Sequence, residues 1–143
     1  MKRIADALEL LTAQHEELDL QLKKIDTVAS AQRALALGLL ADKLATHLAA
    51  EQQLLDLLEV TDYADDHDRV RNALADVLAL DVEAAEMPAR IEALGAVLGK
   101  HTTWQEEILF VMLAETVEPT VLEQVGALLG EWAEGSSCLS VAA

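Results

Sequence analysis

Residues 40–58 read LADKLATHLAAEQQLLDLL, and the spacing within this stretch decides the fold. Leu40, Leu44, His47, Glu51, Leu54 and Leu58 step by three and four, which places them on one face of an α-helix. The positions between them are mostly Ala, Leu and Gln, all strong helix formers. Two of the six stripe positions are not apolar. Imidazole and carboxylate are costly to bury without partners, so His47 and its i+4 neighbour Glu51 on a core-facing stripe require an explanation.

The same rule, applied outward, yields further helices. A first, from about Arg3 to Val28, presents Leu8, Leu11, His15, Leu18, Leu22 and Ile25. The quoted stretch belongs to a second, from about Ala31 to Glu59, after a turn at Thr27 to Ser30. A third starts near Asp65 or Asp66, either of which can cap it, and runs to about Asp81 with His67, Val70, Leu74 and Val77 inward. The fourth spans about Pro88 to Thr116, with Leu94, Leu98, His101, Gln105, Ile108 and Met112 on its inner face. A shorter fifth, about Pro119 to Ala133, carries Val121, Val125, Leu128, Leu129 and Trp132. Long helices with short turns imply an all-α, antiparallel up-down four-helix bundle with a short C-terminal fifth helix. The domain is expected to cover residues 1–134, and Gly135-Ser136-Ser137 to open a flexible tail, 135–143.

Composition agrees. Of 143 residues, 52% are hydrophobic and only 3% aromatic, enough for a core and poor material for a sheet. The 26 acidic residues against 10 basic ones give a formal charge of −16, a surface that repels phosphate backbones and anionic lipid. Neither nucleic acid nor a membrane is therefore an expected partner. Asp6 and Glu9 interrupt the stretch where a secretory leader needs unbroken apolar residues, and the longest apolar run, Ala34 to Ala41, is too short to span a bilayer. The single cysteine, Cys138, cannot form an internal disulfide and has no histidine nearby in sequence, so it is assigned no catalytic role. A cytoplasmic location is expected.

The four histidines of the chain, His15, His47, His67 and His101, fall one on each long helix, each in the middle of a buried stripe. Their depths are set by the 1.5 Å rise per residue. His15 and His47 are level when measured from the first turn, and His67 and His101 when measured from the turn near Met87. Across the middle turn His67 comes too early, by about eight residues. All four come level only if the stretch from about Val60 to Asp65 climbs in an extended, non-helical form. Nitrogen donors from four helices and a carboxylate on one bundle axis fit a bound Fe, Mn or Zn ion.

The order His15, His47-x-x-x-Glu51, His67, His101-x-x-x-Gln105-Glu106 resembles the hemerythrin-like, or HHE cation-binding, domain. The pattern of that family is His, HxxxE, His, HxxxE on four successive helices, and the resemblance covers about residues 8–115. It implies a non-haem di-iron centre with imidazoles on both irons and bridging carboxylates. The expected ligands are His15, His47, Glu51, His67, His101 and Glu106, with Glu51 bridging. It also implies a small diatomic ligand or peroxide: the protein would bind, sense or process O2, peroxide or NO, or handle iron. Oxidase or peroxide-consuming turnover on the same site is a third reading.

Two departures qualify the resemblance. Gln105 stands where the second bridging carboxylate belongs. Glu106, one residue on, matches the longer His-x-x-x-x-Asp spacing of oxygen carriers and is the substitute. On the third helix only His67 is present, with Arg71 at i+4 and Tyr63 at i−4, where oxygen carriers have a second histidine. Fewer imidazoles favour sensing, redox or storage over reversible carriage, and leave a mononuclear or mixed-metal site as an alternative. Tyr63 is expected to pack or hydrogen-bond beside the site, and Trp104, Phe110 and Met112 to pack around it. The ending Cys138 to Ala143 distantly resembles the short apolar tails that dock cargo into protein shells such as encapsulins; a homodimer is the other partner reading. The competing reading of the whole chain is a metal-free interaction module whose polar core residues only fix helix register.

Overall fold

The computed structural model describes residues 6–61 and 63–129. Four long helices form first: α1 (Ala7–Ile25), α2 (Ser30–Leu57), α3 (Ala64–Leu78) and α4 (Met87–Trp104). The fourth continues through a π-helical turn, Gln105–Leu109, into α5 (Phe110–Thr116), and residues 119–129 are helical again. No strand occurs among the described residues, and no helix among them is long and apolar enough to cross a membrane. The expected tail at 135–143, with Cys138, and Trp132 lie outside the described residues.

Cross-helix pairs establish the directions. Lys43 meets Glu17, and one turn further along α2 His47 meets Gln14, one turn back along α1. Asp66 reaches His101 while Asp76, later on α3, reaches Arg90, earlier on α4. Tyr63 and His67 likewise descend past Asp56 and Glu51 of α2. Every neighbour is antiparallel, as an up-down bundle requires.

The helix ends show local causes. Asp6 caps α1, its carboxylate accepting from the Glu9 N–H at 2.9 Å, and Lys23 and Lys24 lie in the last turn, where cations suit the helix dipole. α2 ends in a Schellman arrangement: the Val60 N–H donates to the Leu55 carbonyl at 2.8 Å and the Glu59 N–H to that of Asp56. Glu59 adopts φ 58° there, a position that usually takes glycine. Val60, Thr61 and Tyr63 are non-helical, but α3 already begins at Ala64, so the break falls inside the expected stretch and is shorter than Val60 to Asp65. The cap of α3 differs from expectation. Tyr63, not Asp65 or Asp66, is the cap residue and makes no side-chain capping bond. Asp65 and Asp66 lie in the first turn, where the dipole favours them and where Asp66 is free for other work.

Two apolar clusters fill the bundle, and the histidine layer lies between them. One holds Leu18, Ile25, Leu40, Leu44, Val70, Val77, Ile91, Leu94 and Leu98. The other holds Ala7, Leu11, Leu54, Leu55, Leu109, Phe110 and Leu113. Because α3 begins only three residues before His67, it contributes no buried apolar residue to this second cluster. Leu122, Val125 and Leu129 of the 119–129 segment complete it instead. The 119–129 segment thus closes the end of the bundle that α3 is too short to reach.

The inner face of the fourth helix corrects the sequence reading. Ile108 and Met112 were expected inside, yet Ile108 is 60% exposed while Leu109 is 4% exposed, and Leu113 is buried where Met112 is not. The π turn is the reason. The Phe110 N–H donates to the Gln105 carbonyl five residues back, so one extra residue is accommodated and the buried stripe moves on by one. Leu128 of the last segment is likewise exposed, and Leu122 is buried in its cluster.

Candidate metal centre

Helical spacing supplies the site residues. His47 and Glu51 lie one turn apart on α2; His15 comes from the middle of α1, His67 from the first turns of α3, and His101 from the last turn of α4. Gln105 opens the π turn. All six are buried, Gln105 completely.

Glu51 is the centre of the arrangement. Its Oε1 lies 3.2 Å from His15 Nε2 and 2.6 Å from His47 Nε2. Its Oε2 lies 3.0 Å from His67 Nε2 and 3.3 Å from His101 Nε2. The two carboxylate oxygens therefore divide four imidazoles into two pairs. Donor atoms of His15, His47, Glu51 and His101 all lie within 4.8 Å of one another, close enough to hold a metal ion. His67 joins through the second oxygen of Glu51 and stands outside that set.

The outer nitrogens are held as well. Nδ1 of His47 meets Gln14 Oε1 at 2.7 Å, that of His101 meets Asp66 Oδ2 at 2.5 Å, and that of His15 meets Glu106 Oε2 at 3.2 Å. Three imidazoles thus have an oxygen at both nitrogens. A neutral imidazole carries one proton and can satisfy only one of them. The unmet nitrogens include His47 Nε2 and His101 Nε2, which are buried without a hydrogen-bond partner despite their closeness to Glu51. Only a second proton or a cation at the inner nitrogen satisfies both ends. Two donors on one first-row ion at right angles stand about 3 Å apart, which is the spacing between these nitrogens and the Glu51 oxygens. The residues present fit a metal ion. Outer carboxylates and amides that orient metal-bound imidazoles are the usual supporting set.

Electrostatics follow from burial and neighbours. Burial alone would push the Glu51 carboxyl up, but His47, His101 and His15 outweigh it and hold it well below the ordinary carboxylate range. Burial dominates for His47 and lowers it, against the pull of Glu51, so it is neutral. For His101 burial also pulls downward, yet the Asp66 and Glu51 carboxylates prevail and raise it to about 9. In the metal-free protein the His101 imidazolium therefore offsets the buried Glu51 charge.

The remaining expected residues are placed as follows. Glu106, a side chain 33% exposed, sits on the outer nitrogen of His15 instead of facing the inner nitrogens. Gln105 takes the inner place: its Nε2 donates to Glu51 Oε2 at 2.8 Å and its Oε1 lies 2.9 Å from His15 Nε2. The wider π turn brings both residues to the α1 side of the helix. Tyr63 stacks edge-on against His67 at 5.0 Å and donates its hydroxyl to Asp56 at 2.6 Å. Phe110 lies parallel to the His15 ring at 5.9 Å, and Met112 is exposed. Sequence reasoning missed Gln14 and Asp66. Each occupies a helix position next to the ligand stripe, and Asp66 was legible only as a candidate cap of the third helix.

A family model, the hemerythrin HHE cation binding domain, matches residues 6–113, and the chain belongs to that family. Neither the curated proteins nor the solved structures compared with the chain gave a match. An acidic helical bundle with a buried His/Glu cluster able to bind metal is thus a hemerythrin HHE domain protein.

Proposed function

We propose that the chain holds a pair of iron ions bridged by Glu51, and that this pair takes a small diatomic ligand or peroxide inside the cell. One observation carries the reading: the two oxygens of Glu51 sort the four Nε2 atoms into His15 with His47 and His67 with His101. A bridging carboxylate needs that division, and bundle cores are known hosts of paired carboxylate–histidine iron. When bound, the iron pair would supply redox electrons and positions for O2, NO or peroxide.

The protein's own groups prepare this chemistry. His15, His47, His67 and His101 present their Nε2 atoms to the inner layer, and Gln14, Asp66 and Glu106 hold three of these rings in orientation. Gln105 steadies Glu51 from the fourth helix without adding charge, so among the described residues Glu51 is the one anion of the inner layer. Apolar clusters on both sides exclude bulk water, and Phe110 covers His15. Such a sealed layer suits a ligand of two or three atoms and excludes a larger organic substrate.

Iron counted per chain after anaerobic loading tests the proposal. Two irons are expected, with NO changing the visible absorption of the loaded protein only, and Glu51→Ala is expected to hold fewer than one. One iron in the unaltered chain would overturn the pair, and none would overturn the metal reading.

A further inference from the structure

The inner donors are buried on every side, so an ion must reach them through a gap in the bundle. Among the described clefts, one of about 290 Å³ runs between α1 and α4 and has His15 in its wall. We infer that this α1–α4 cleft is the entrance by which the cation reaches the buried site, with Glu106 as its innermost acid. The inference rests on the metal reading and adds the route.

The backbone explains why the cleft exists. At Gly95 an added Cβ would stand 3.1 Å from Leu22 Cδ2, so glycine there permits a close approach of the two helices. One turn nearer the site, an added Cβ at Gly99 would meet nothing within 4 Å. The Leu22 side chain thus fills the space beside Gly95, while open space lies beside Gly99, and both glycines line the cleft. The π turn then carries Glu106 round to face α1, where a regular helix would bring only Gln105.

Charge selects this opening over the others. Its wall carries Glu16, Asp19 and Glu106 and no lysine or arginine, although Asp19 also pairs with Lys23 at the rim. The cleft beside His67 sets Arg71 against Asp56 and Asp68, the one between α3 and α4 sets Arg69 and Lys100 against Asp65 and Asp66, and the one on the outer side of α4 sets Lys100 against Glu107. A cation is drawn most strongly toward the first, whose wall has three acids and no lysine or arginine to offset them. Glu106 is half-buried, with one oxygen on His15 Nδ1, so it links the solvent side of the cleft directly to a donor imidazole. Thr102 adds a hydroxyl to the same wall, a further oxygen for an ion shedding its water.

The test separates rate from capacity. Ferrous iron alone is added anaerobically to the metal-free full chain, uptake is stopped at intervals with a chelator, and protein-bound iron is counted. Thr102→Phe, which fills the cleft, should slow uptake while the final iron content stays that of the unaltered chain. Glu16→Gln with Asp19→Asn, at exposed positions that leave folding intact, should slow it by up to about tenfold and flatten its dependence on salt. Thr61→Phe, in the cleft beside His67, should leave the rate unchanged. Unchanged rates in the first two variants, slowing by Thr61→Phe, or a lowered final iron content in Thr102→Phe would each overturn the route. An unaltered chain that takes up no iron overturns the metal reading and the route with it.

Discussion

Asp66 Oδ2 lies 2.5 Å from His101 Nδ1, so the first turn of α3 holds the imidazole at the end of α4 from outside the inner layer. The contact does two things. It fixes which nitrogen of His101 faces Glu51, and it adds a nearby negative charge that raises the imidazole to about 9. Asp66→Asn keeps the shape and removes the charge. Metal affinity is expected to fall about 10–100-fold, the usual effect of losing such a support. Titration calorimetry checks this, and an NMR titration of the metal-free variant should show His101 ionising below about 9. Unchanged affinity would show that Asp66 has no role at the centre.

The same imidazole sets a pH dependence. His101 is protonated at pH 7 in the metal-free protein and must lose that proton to bind metal through Nε2. Affinity should therefore rise with pH until about 9 as His101 gives up its proton, with close to one proton released from His101 at neutral pH. Folding stability runs the other way. A raised folded-state value stabilises the metal-free protein fully below the unfolded histidine value, about 6.5, and that part is lost as pH rises through about 9. Calorimetric titrations in buffers of different ionisation enthalpy count the proton. A flat affinity between pH 6 and 9 would contradict the assignment.

Gln105 offers a substitution whose effect changes sign with metal. Gln105→Glu places a second carboxylate where an amide now donates to Glu51 Oε2 at 2.8 Å. Without metal, two adjacent buried carboxylates repel, and a loss of about 1–3 kcal/mol at pH 7 is expected. With metal the added anion becomes a favourable partner, and the variant should melt above the unaltered chain. Thermal melts with and without chelator compare the two, and a loss of equal size in both states would place Gln105 outside the centre.

The π turn can be read out by packing. Leu109→Ala should cost about 2–5 kcal/mol because Leu109 fills the apolar cluster beside the site. Ile108→Ala should change stability by about 0.5 kcal/mol or less, since that side chain is mostly exposed. Urea unfolding of the metal-free variants measures both. A regular α-helix through Gln105–Leu109 would reverse the order.

Much of this was legible in the chain. The three-and-four spacing around His47 and Glu51, repeated at His15, His67 and His101, specified a bundle with a polar middle, since no other fold buries those stripes on one axis. The depth argument placed the non-helical passage before α3, because rise per residue is a fixed length. What failed was the phase after Gln105. A π turn shifts the stripe by one residue, and Ile108-Leu109 and Met112-Leu113 are pairs of apolar neighbours, so the sequence reads equally well in either phase.

The chain alone determined the helices, their order and the five inward donors His15, His47, Glu51, His67 and His101, because helical periodicity is local and buried polar groups stand out against an Ala/Leu background. Only the tertiary structure decided that Gln105 lies inside and Glu106 on the outer face of His15, that Gln14 and Asp66 orient imidazoles, and that the 119–129 segment replaces α3 at one end. Those outcomes depend on where two helices meet. Contacts between residues such as Asp66 and His101, 35 positions apart, are set by packing geometry and leave no periodic trace in the sequence.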